Sequence, residues 1–384
     1  MRAYKFRLYP NHDQEILINK TFGSTRYIYN YFLDQKTKLY KEHSINKTAY
    51  ECCADIKLLS KEYEWLKEVD SCALRCAIFD LDDAFSRFFK KLGSYPNFKS
   101  KFKKNSYRTN NMTGSYKGKE YNSVKLDLVK NIVTLPKLKE VKIRGYRNLS
   151  KINGRIINAT ISKENNRYYV SVVTSASFEC PKTNASGIIG IDVGVKNLVT
   201  TSDNETFDNK KVINKYAKSL RHLQRLLAKK IPKSKNYYKC LAKINSIYRK
   251  IKNTRKYYLH QISKKLTDTY KIIVTESLSI KRLLETSSSK LSKAIQDASI
   301  YELFRQMEYK SRNKGNLLYQ IDQYYPSSQK CARCGNIEKN MKEIDKRMYE
   351  CTSCGNQLDR DYNASLNIMD EGLNMYMKQG LKVI

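Results

Sequence analysis

Two pairs of cysteines near the carboxyl-terminal end place the strongest constraint on how this chain folds. Cys331 and Cys334 form one C-x-x-C pair, Cys351 and Cys354 form a second, and a Gly-Asn dipeptide follows each pair. A glycine adopts a positive φ at little cost, so backbone amides can turn towards the sulfur atoms. Two such turns separated by roughly 15–20 residues are typical of a ribbon in which four thiolates bind one zinc ion. The alternative is a set of four buried free thiols.

An acidic cluster follows the second cysteine pair. Six residues separate Cys354 from Asp361, and Asp359 lies between them. A zinc ribbon rarely carries out chemistry itself, but it can hold a neighbouring carboxylate in place or bind a nucleic acid. We therefore expect the ribbon to position Asp361.

The balance of charge indicates a polyanionic partner. The 384 residues include 73 Lys and Arg against 37 Asp and Glu, which gives a net charge of +36. An AT-rich genome alone would enrich lysine, but it would enrich glutamate as well. A membrane surface is the other common polyanion, and no basic helix with a separate apolar face is evident. The charge therefore predicts binding along a nucleic acid.

The sequence shows no feature of an exported or membrane protein. Met1 leads into a basic, alternating segment without the apolar core of a signal peptide. No run of 18 apolar residues occurs, and ten cysteines fit a reducing compartment better than secretion. We expect a cytoplasmic protein with no membrane partner.

The amino-terminal half is predicted to be a small β-barrel with a helical insertion. Residues 4–9 alternate between apolar and charged side chains, so Lys5 and Arg7 share a cationic face. Apolar residues then recur at helical spacing over residues 11–92. Short strands separated by turn-forming residues follow between residues 124 and 178.

The segment of residues 93–111 interleaves aromatic rings with cations. Cations can follow phosphates while rings stack on bases, so this segment is predicted to be a loop that faces nucleic acid. The alternative is a solvated basic linker whose rings belong to an ordinary core. Together with Lys5 and Arg7, the predicted contact residues are Tyr95, Phe98, Lys99, Lys101, Lys103, Lys104 and Arg108.

Two apolar strands in the carboxyl-terminal half each end in a single acid, Asp192 in one and Glu276 in the other. A carboxylate at the end of a buried strand is costly unless a cation compensates for it. Each acid alone could be a helix cap or a surface group. Together with Asp361, they are predicted to converge on an RNase H-like sheet and hold a pair of divalent ions, for which Mg²⁺ is the natural choice. Asp192, Glu276 and Asp361 are the predicted catalytic residues.

Two other features have less specific interpretations. Residues 211–270 are predicted to form a helical hairpin interrupted at Pro232, and most of its lysines are interpreted as a solvated face. The pairs Cys52-Cys53 and Cys72/Cys76 could form a second metal site, but we interpret them as small apolar core residues.

Several motifs of this chain resemble those of the TnpB family of transposon-encoded RNA-guided nucleases, which are related to compact type V CRISPR effectors. GIDVGVKN with Asp192, IVTESLSIKRL with Glu276, and the ribbon joined to DRDYNAS with Asp361 resemble the three RuvC motifs. The segments YKFRLYP, FGSTRYIYNYFL and YPNFKSK also resemble family signatures. The sequence departs from the family in having NAS where NAA is usual.

The resemblance implies a fold and a set of domains. The fold class is α/β plus a β-barrel: a RuvC-like nuclease domain with an inserted zinc ribbon, preceded by a wedge barrel that carries the helices. The implied domains are the first wedge strand at 1–10, a helical recognition insertion at 11–92, the rest of the wedge at 93–185, the nuclease domain at 186–325, the ribbon at 326–357 and the end of the nuclease domain with the tail at 358–384.

The resemblance also implies an activity. Members carry a guide RNA from the transposon end, recognise a short motif beside a double-stranded DNA target, and cut both strands at one RuvC site. Structural zinc, catalytic magnesium, a structural role for Asp359, a monomer and a location at the prokaryotic nucleoid are expected on the same basis. A nuclease-inactive RNA-guided repressor, a CRISPR-associated effector of the same fold, and a zinc-ribbon DNA-binding factor without catalysis are the alternatives.

Overall fold

A computed structural model describes residues 1–103, 105–116, 119–144, 154–175, 184–342 and 346–380. The chain divides into two compact units, Met1–Phe178 and Glu179–Ile384. Among the helices in these ranges, none is both long and apolar enough to cross a membrane.

The first unit is built on a seven-stranded antiparallel sheet. Its strand order is β2-β8-β9-β1-β7-β6-β5, so the amino-terminal strand β1 lies in the middle of the sheet. Strands β3 and β4 form a separate hairpin. The strands are β1 (Arg2–Tyr9), β2 (Asn105–Asn110), β3 (Thr113–Tyr116), β4 (Lys119–Asn122), β5 (Lys125–Asp127), β6 (Ile132–Leu135), β7 (Lys139–Arg144), β8 (Ile156–Glu164) and β9 (Arg167–Thr174).

The side chain of Asn111 joins the two edges of this sheet. Its Nδ2 donates to the carbonyl of Ile156, beside the edge strand β2, at 3.1 Å. Its Oδ1 accepts from the amide of Val124, which leads into the opposite edge strand β5, at 2.9 Å. The sheet thus curls into the predicted barrel around a single apolar core that includes Val133, Ile161 and other inward side chains of the strands.

Three helices are inserted between β1 and β2, as the sequence predicts. They are α1 (His12–His43), α2 (Ala49–Glu62) and α3 (Ser71–Phe89). Asn11 and Thr48 form capping boxes with Gln14 and Glu51, which satisfy the free amides at the starts of α1 and α2. Cys52, Cys72 and Cys76 are buried in this helical unit, as expected of core residues.

The second unit contains a five-stranded sheet with the order β12-β11-β10-β13-β14. Strands β10, β11 and β12 are antiparallel to one another, whereas β13 and β14 run parallel to β10. This mixed sheet is the RNase H-like sheet that was predicted. Its strands are β10 (Ile188–Asp192), β11 (Asn197–Thr201), β12 (Thr206–Asp208), β13 (Ile272–Glu276) and β14 (Leu317–Ile321).

Helices cover both faces of this sheet. Leu259 and Leu303, from α5 and α8, pack with Ile189 and Ile273 on one side. Ile368, from α9, packs with the alternate side chains of the strands on the other. The helices are α4 (Val212–Ala228), α5 (Lys235–Thr269), α6 (Ile280–Thr286), α7 (Ser289–Ala298), α8 (Ile300–Lys314) and α9 (Arg360–Gly380). Helix α6 was not predicted.

Two glycines allow α9 to lie directly on the sheet. A Cβ at Gly190, in β10, would lie 2.2 Å from the carbonyl oxygen of Ser365 and 2.6 Å from the amide nitrogen of Met369. A Cβ at Gly372, in α9, would lie 2.3 Å from a methyl group of Val274. Only hydrogen fits at either position, so the backbone of α9 approaches β10 and β13 more closely than side chains would permit.

Candidate active site and metal centre

Asp192 and Glu276 lie side by side on neighbouring strands. Ile191 of β10 is in register with Thr275 of β13, and the two strands are parallel. The next residues, Asp192 and Glu276, therefore lie at the same edge and on the same face of the sheet, because side chains alternate with a period of two. Both acids are partly exposed at the ends of otherwise buried strands. The register thus brings together two of the three predicted carboxylates.

Asp361 approaches this pair from the first turn of α9. The Oδ1 atom of Asp359 accepts hydrogen bonds from the amides of Asp361 and Tyr362 at 2.9 and 3.1 Å, and so caps the helix. The side chain of Asp361 is 22% exposed, and Arg347 Nη1 lies 3.9 Å from its Oδ1. The carboxylate of Asp359 therefore binds backbone amides of the helix. The carboxylate of Asp361 takes no part in this capping and faces the other acids.

The three carboxylates interact electrostatically. Burial, followed by the charges of Glu276 and Asp361, raises the pKa of Asp192 to about 8. Burial also raises the pKa of Glu276, against a hydrogen bond from Ser327 that lowers it. The pKa of Asp361 is raised by burial and then by the charge of Asp359. The surroundings of each carboxylate thus disfavour its ionised form. Bound cations would offset this cost most strongly in such a setting.

Ser327 connects the ribbon to Glu276. The Ser327 hydroxyl donates a hydrogen bond to Glu276 Oε1, and the side chain is only 4% exposed. The carbonyl oxygen of Ser327 accepts a hydrogen bond from Asn367 Nδ2 at 2.8 Å. The orientation of Glu276 therefore depends on a residue that α9 holds in place.

Asn363 and Asn367 attach the first cysteine turn to α9. Both side-chain amides donate to the carbonyl of Lys330, at 2.8 and 2.7 Å, and the amide of Ala332 donates to Asn363 Oδ1 at 3.0 Å. Both asparagines are buried. The sequence analysis missed Ser327 and Asn367; the available signal was the pair of asparagines four residues apart after the ribbon, which share one helical face.

The four cysteines fit a zinc ion. The Sγ atoms of Cys331 and Cys354 are 3.7 Å apart, and those of Cys334 and Cys351 are 3.6 Å apart. Four sulfurs at a Zn–S distance of about 2.3 Å form a tetrahedron with edges of about 3.8 Å. Gly335 and Gly355 have φ angles of 78° and 68°, as the two turns require. Strands β15 (Met348–Glu350) and β16 (Gln357–Asp359) pair behind the second turn.

The predicted nucleic-acid contacts of the first unit lie in varied surroundings. Lys5 pairs with Glu164 at 2.5 Å, and Arg7 lies over the ring of Tyr9. Lys99 lies 3.6 Å from the ring centroid of Tyr29, and burial lowers the pKa of Lys99. The other exposed members are Tyr95, Phe98, Lys101 and Lys103.

The prediction of a loop over residues 93–111 is wrong for Asn105–Asn110, which form strand β2. Tyr107 points into the barrel core, and Arg108 pairs with Asp80 at 2.8 Å. The alternation of the strand is hard to recognise in the sequence because the inward Thr109 is polar and the outward residues Ser106 and Asn110 are typical of loops. Lys104 lies outside the described residues.

Three family models match parts of the chain. A model described as "Helix-turn-helix domain" of the IS605 OrfB group matches residues 1–44, one described as "Probable transposase" matches 167–287, and one described as "Cas12f1-like, TNB domain" matches 301–368. Residues 1–44 here form a strand and one long helix rather than two helices joined by a turn. The third match spans nearly all of α8, β14, the ribbon and the start of α9.

Two of the similar curated proteins match almost the whole chain. A protein of Streptomyces pristinaespiralis named "Putative RNA-guided DNA endonuclease" is 31% identical over 377 residues, which cover 97% of this chain and 89% of the relative. The protein "Putative RNA-guided DNA endonuclease InsQ" of Escherichia coli K12 is 28% identical over 388 residues, covering 97% and 92%.

Among solved structures, the chain is similar to the protein in "Cryo-EM structure of the Cas12f1-sgRNA-target DNA complex". The TM-score is 0.57 at 15% identity, with 93% of this chain and 83% of the other covered. At that identity the likeness concerns the fold. The near full-length relative at 31% identity and the IS605 OrfB match show that the chain belongs to the TnpB family.

Proposed function

We propose that this protein is an RNA-guided DNA endonuclease of a transposable element. The observation that carries the proposal is the placement of Asp192 beside Glu276 at the ends of two parallel strands, with Asp361 on the first turn of the helix that packs on those strands. The names of the relatives and the nucleic acids in the structural neighbour support the same activity.

In this proposal Asp192, Glu276 and Asp361 hold two Mg²⁺ ions, for which an all-oxygen ligand set is suitable. When bound, such ions activate water and stabilise the scissile phosphate and the leaving oxygen. The chain's own residues make the site accessible and hold it in place. Ser327 orients Glu276, Asp359 caps the helix that presents Asp361, and Gly190 permits the close contact that brings the helix to the strands.

The partners in this proposal are a guide RNA from the transposon end and double-stranded DNA with a short adjacent motif, bound by a monomer. The four cysteines hold structural zinc. A net charge of +36 supplies affinity for both nucleic acids without reading sequence, which leaves target choice to base pairing.

The test is cleavage of a guide-matched plasmid by Asp192→Ala. Loss of one of three carboxylates that act together should reduce Mg²⁺-dependent cutting by about three orders of magnitude or more. Binding of the target should be retained or strengthened, because the change removes a negative charge near the DNA phosphates. Glu276→Ala and Asp361→Ala should behave alike.

A matched control is Glu308→Ala, which removes an exposed carboxylate of α8 that pairs with Arg312. Cutting by Asp192→Ala at the parental rate would place the active site elsewhere. A parent that binds its target with guide RNA but never cuts would be a nuclease-inactive repressor.

A further inference from the structure

The hairpin of α4 and α5 carries an unbalanced positive charge. Residues 209–267 contain 19 Lys and Arg and not one Asp or Glu over 59 consecutive positions. These positions therefore supply more than half of the chain's net charge of +36. The sequence analysis interpreted most of these lysines as a solvated face, for which such a complete absence of acids is not expected.

The two helices pack through an apolar seam that turns the cations outward. Leu220 of α4 packs with Cys240, Ile244 and Ile251 of α5, supported by partly buried neighbours such as Leu223. Of the 19 basic residues, 17 are exposed. The seam thus fixes which side of each helix is apolar, and the remaining surface of the hairpin carries the basic side chains.

The cations of α4 share one face. Lys215, Lys218, Arg225 and Lys229 follow one another at helical spacing, and Arg221 lies beside them. From Lys215 to Lys229 this stripe is about 21 Å long at a rise of 1.5 Å per residue. A double helix presents one phosphate charge per about 1.7 Å of its axis, so about 12 phosphate charges lie within that length.

The cationic stripe lowers the stability of α4 when no ligand is bound. Like charges three or four residues apart destabilise a helix, and no acid of the hairpin offsets them. Two ion pairs with acids from outside the hairpin, Arg255 with Asp297 and Lys265 with Glu205, lie in the half of α5 that packs on the sheet. A bound polyanion relieves the repulsion along α4.

We propose that the α4–α5 hairpin is the docking surface for a double-stranded stem of the guide RNA, a proposal that rests on the proposed function. Lysine outnumbers arginine by 15 to 4 over the 59 positions, and lysine binds phosphate as a point charge without selecting a base. Between Lys215 and Lys229 the exposed rings are limited to the imidazole of His222, so cations for phosphate far outnumber surfaces on which an unpaired base could stack. A permanently bound RNA, unlike a transient DNA target, offsets the repulsion throughout the life of the protein.

The test variant replaces Lys215, Lys218, Arg225 and Lys229 by glutamine, which preserves helix propensity. The RNA that copurifies with the parent is extracted, and its binding to both proteins is measured across a salt series. We expect the affinity at about 0.1 M salt to fall by about 10-fold or more, and the slope of log K against log salt to decrease by about 3–4.

The control variant keeps the charge at the same positions: K215R, K218R, R225K and K229R. It should retain the affinity and the slope of the parent. Melting temperature separates charge from structure, because the RNA-free glutamine variant should melt at or above the parent at low salt once the repulsion is removed. A lower melting temperature with parental RNA affinity would overturn the proposal in favour of a structural role.

The remaining outcomes separate this inference from the proposed function. If the glutamine variant binds RNA like the parent but loses duplex DNA, the hairpin is a DNA surface, and the inference fails while RNA-guided cutting stands. If neither ligand is affected, the hairpin is a solvated face. If the parent carries no RNA and cuts DNA without it, both proposals fail.

Discussion

Ser327 is the residue through which the cysteine turns reach the candidate active site. Its hydroxyl contacts Glu276, its carbonyl is held by Asn367, and Cys331 follows four positions later. A glutamate side chain has three rotatable bonds, so a buried hydrogen bond to one carboxylate oxygen restricts its orientation considerably.

Ser327→Ala should therefore loosen Glu276 without removing a ligand. We expect the cleavage rate to fall by about 10-fold and the half-saturating Mg²⁺ concentration to rise, since each ion must now order the carboxylate. A Mg²⁺ titration of cleavage measures both, and the Mg²⁺-dependent rise in melting temperature should shrink independently of turnover.

The control for this variant is Ser292→Ala, which removes a partly buried hydroxyl that donates to backbone carbonyls of Leu284 and Ser287. It should leave the Mg²⁺ dependence unchanged. An unaltered Mg²⁺ requirement in Ser327→Ala would show that Glu276 is oriented by other contacts.

The residues of the candidate site could be predicted from the sequence where the pattern of their own segment identifies them. Asp192 and Glu276 each end an apolar run, and the cysteines follow a fixed spacing, so local pattern was sufficient. Ser327 carries no such mark, and the spacing of Asn367 from Asn363 indicates only a shared helical face, because the partners of Ser327 and Asn367 lie 51 and up to 40 positions away along the chain.

At the scale of elements, the contact of α9 with β10 determines where Asp361 lies. Gly190 is the critical position because Ser365 and Met369 of the helix backbone occupy the space of a side chain. Backbone atoms cannot rotate away as a flexible side chain can, so any Cβ must displace the whole helix.

Gly190→Ala should destabilise the second unit by about 1–3 kcal/mol or more, as overpacking of a tight core does, and should reduce cleavage by moving Asp361. Thermal unfolding and plasmid cleavage of the same preparation measure the two effects. Gly23→Ala is the control, since a Cβ at Gly23 meets nothing within 4 Å and alanine favours a helix. A parental melting temperature in Gly190→Ala would contradict this account of the contact.

The order of elements was largely predictable, whereas some boundaries were not. The sheet of the second unit, the inserted helices and the ribbon were evident from periodicity and spacing. Strand β2 was missed because Ser106, Arg108 and Asn110 alternate with Tyr107 and Thr109, a pattern that composition alone assigns to a polar loop. Only pairing with β8 makes it a strand.

The ribbon should contain one zinc ion per chain, and its loss should affect the active site as well as the fold. Cys331→Ser should lower the zinc content and the melting temperature, and it should reduce cleavage because Asn363 and Asn367 hold the backbone on either side of Cys331. Metal analysis and plasmid cleavage measure these effects. Cys240→Ser, in the hairpin seam, is a control that should keep the zinc; four freely titratable ribbon thiols in the parent would contradict the assignment.

At the scale of the whole molecule, charge is the dominant property. A chain with a net charge of +36 repels itself when it is free, and its attraction to nucleic acid comes from the same side chains. Stability and RNA binding should consequently respond to salt in opposite directions.

We expect added salt to raise the melting temperature of the RNA-free protein and to lower that of the RNA complex. Between about 0.05 M and about 0.5 M salt, the screening length shortens from roughly 14 to 4 Å, so the repulsion within the free protein weakens. Over the same range the complex loses counterion-release free energy, and its affinity should fall by about 100,000-fold or more if six or more phosphates are neutralised. Paired melting curves of nuclease-treated and untreated protein at each salt concentration test both signs. Melting temperatures that move together would mean that RNA does not neutralise the charge of this chain.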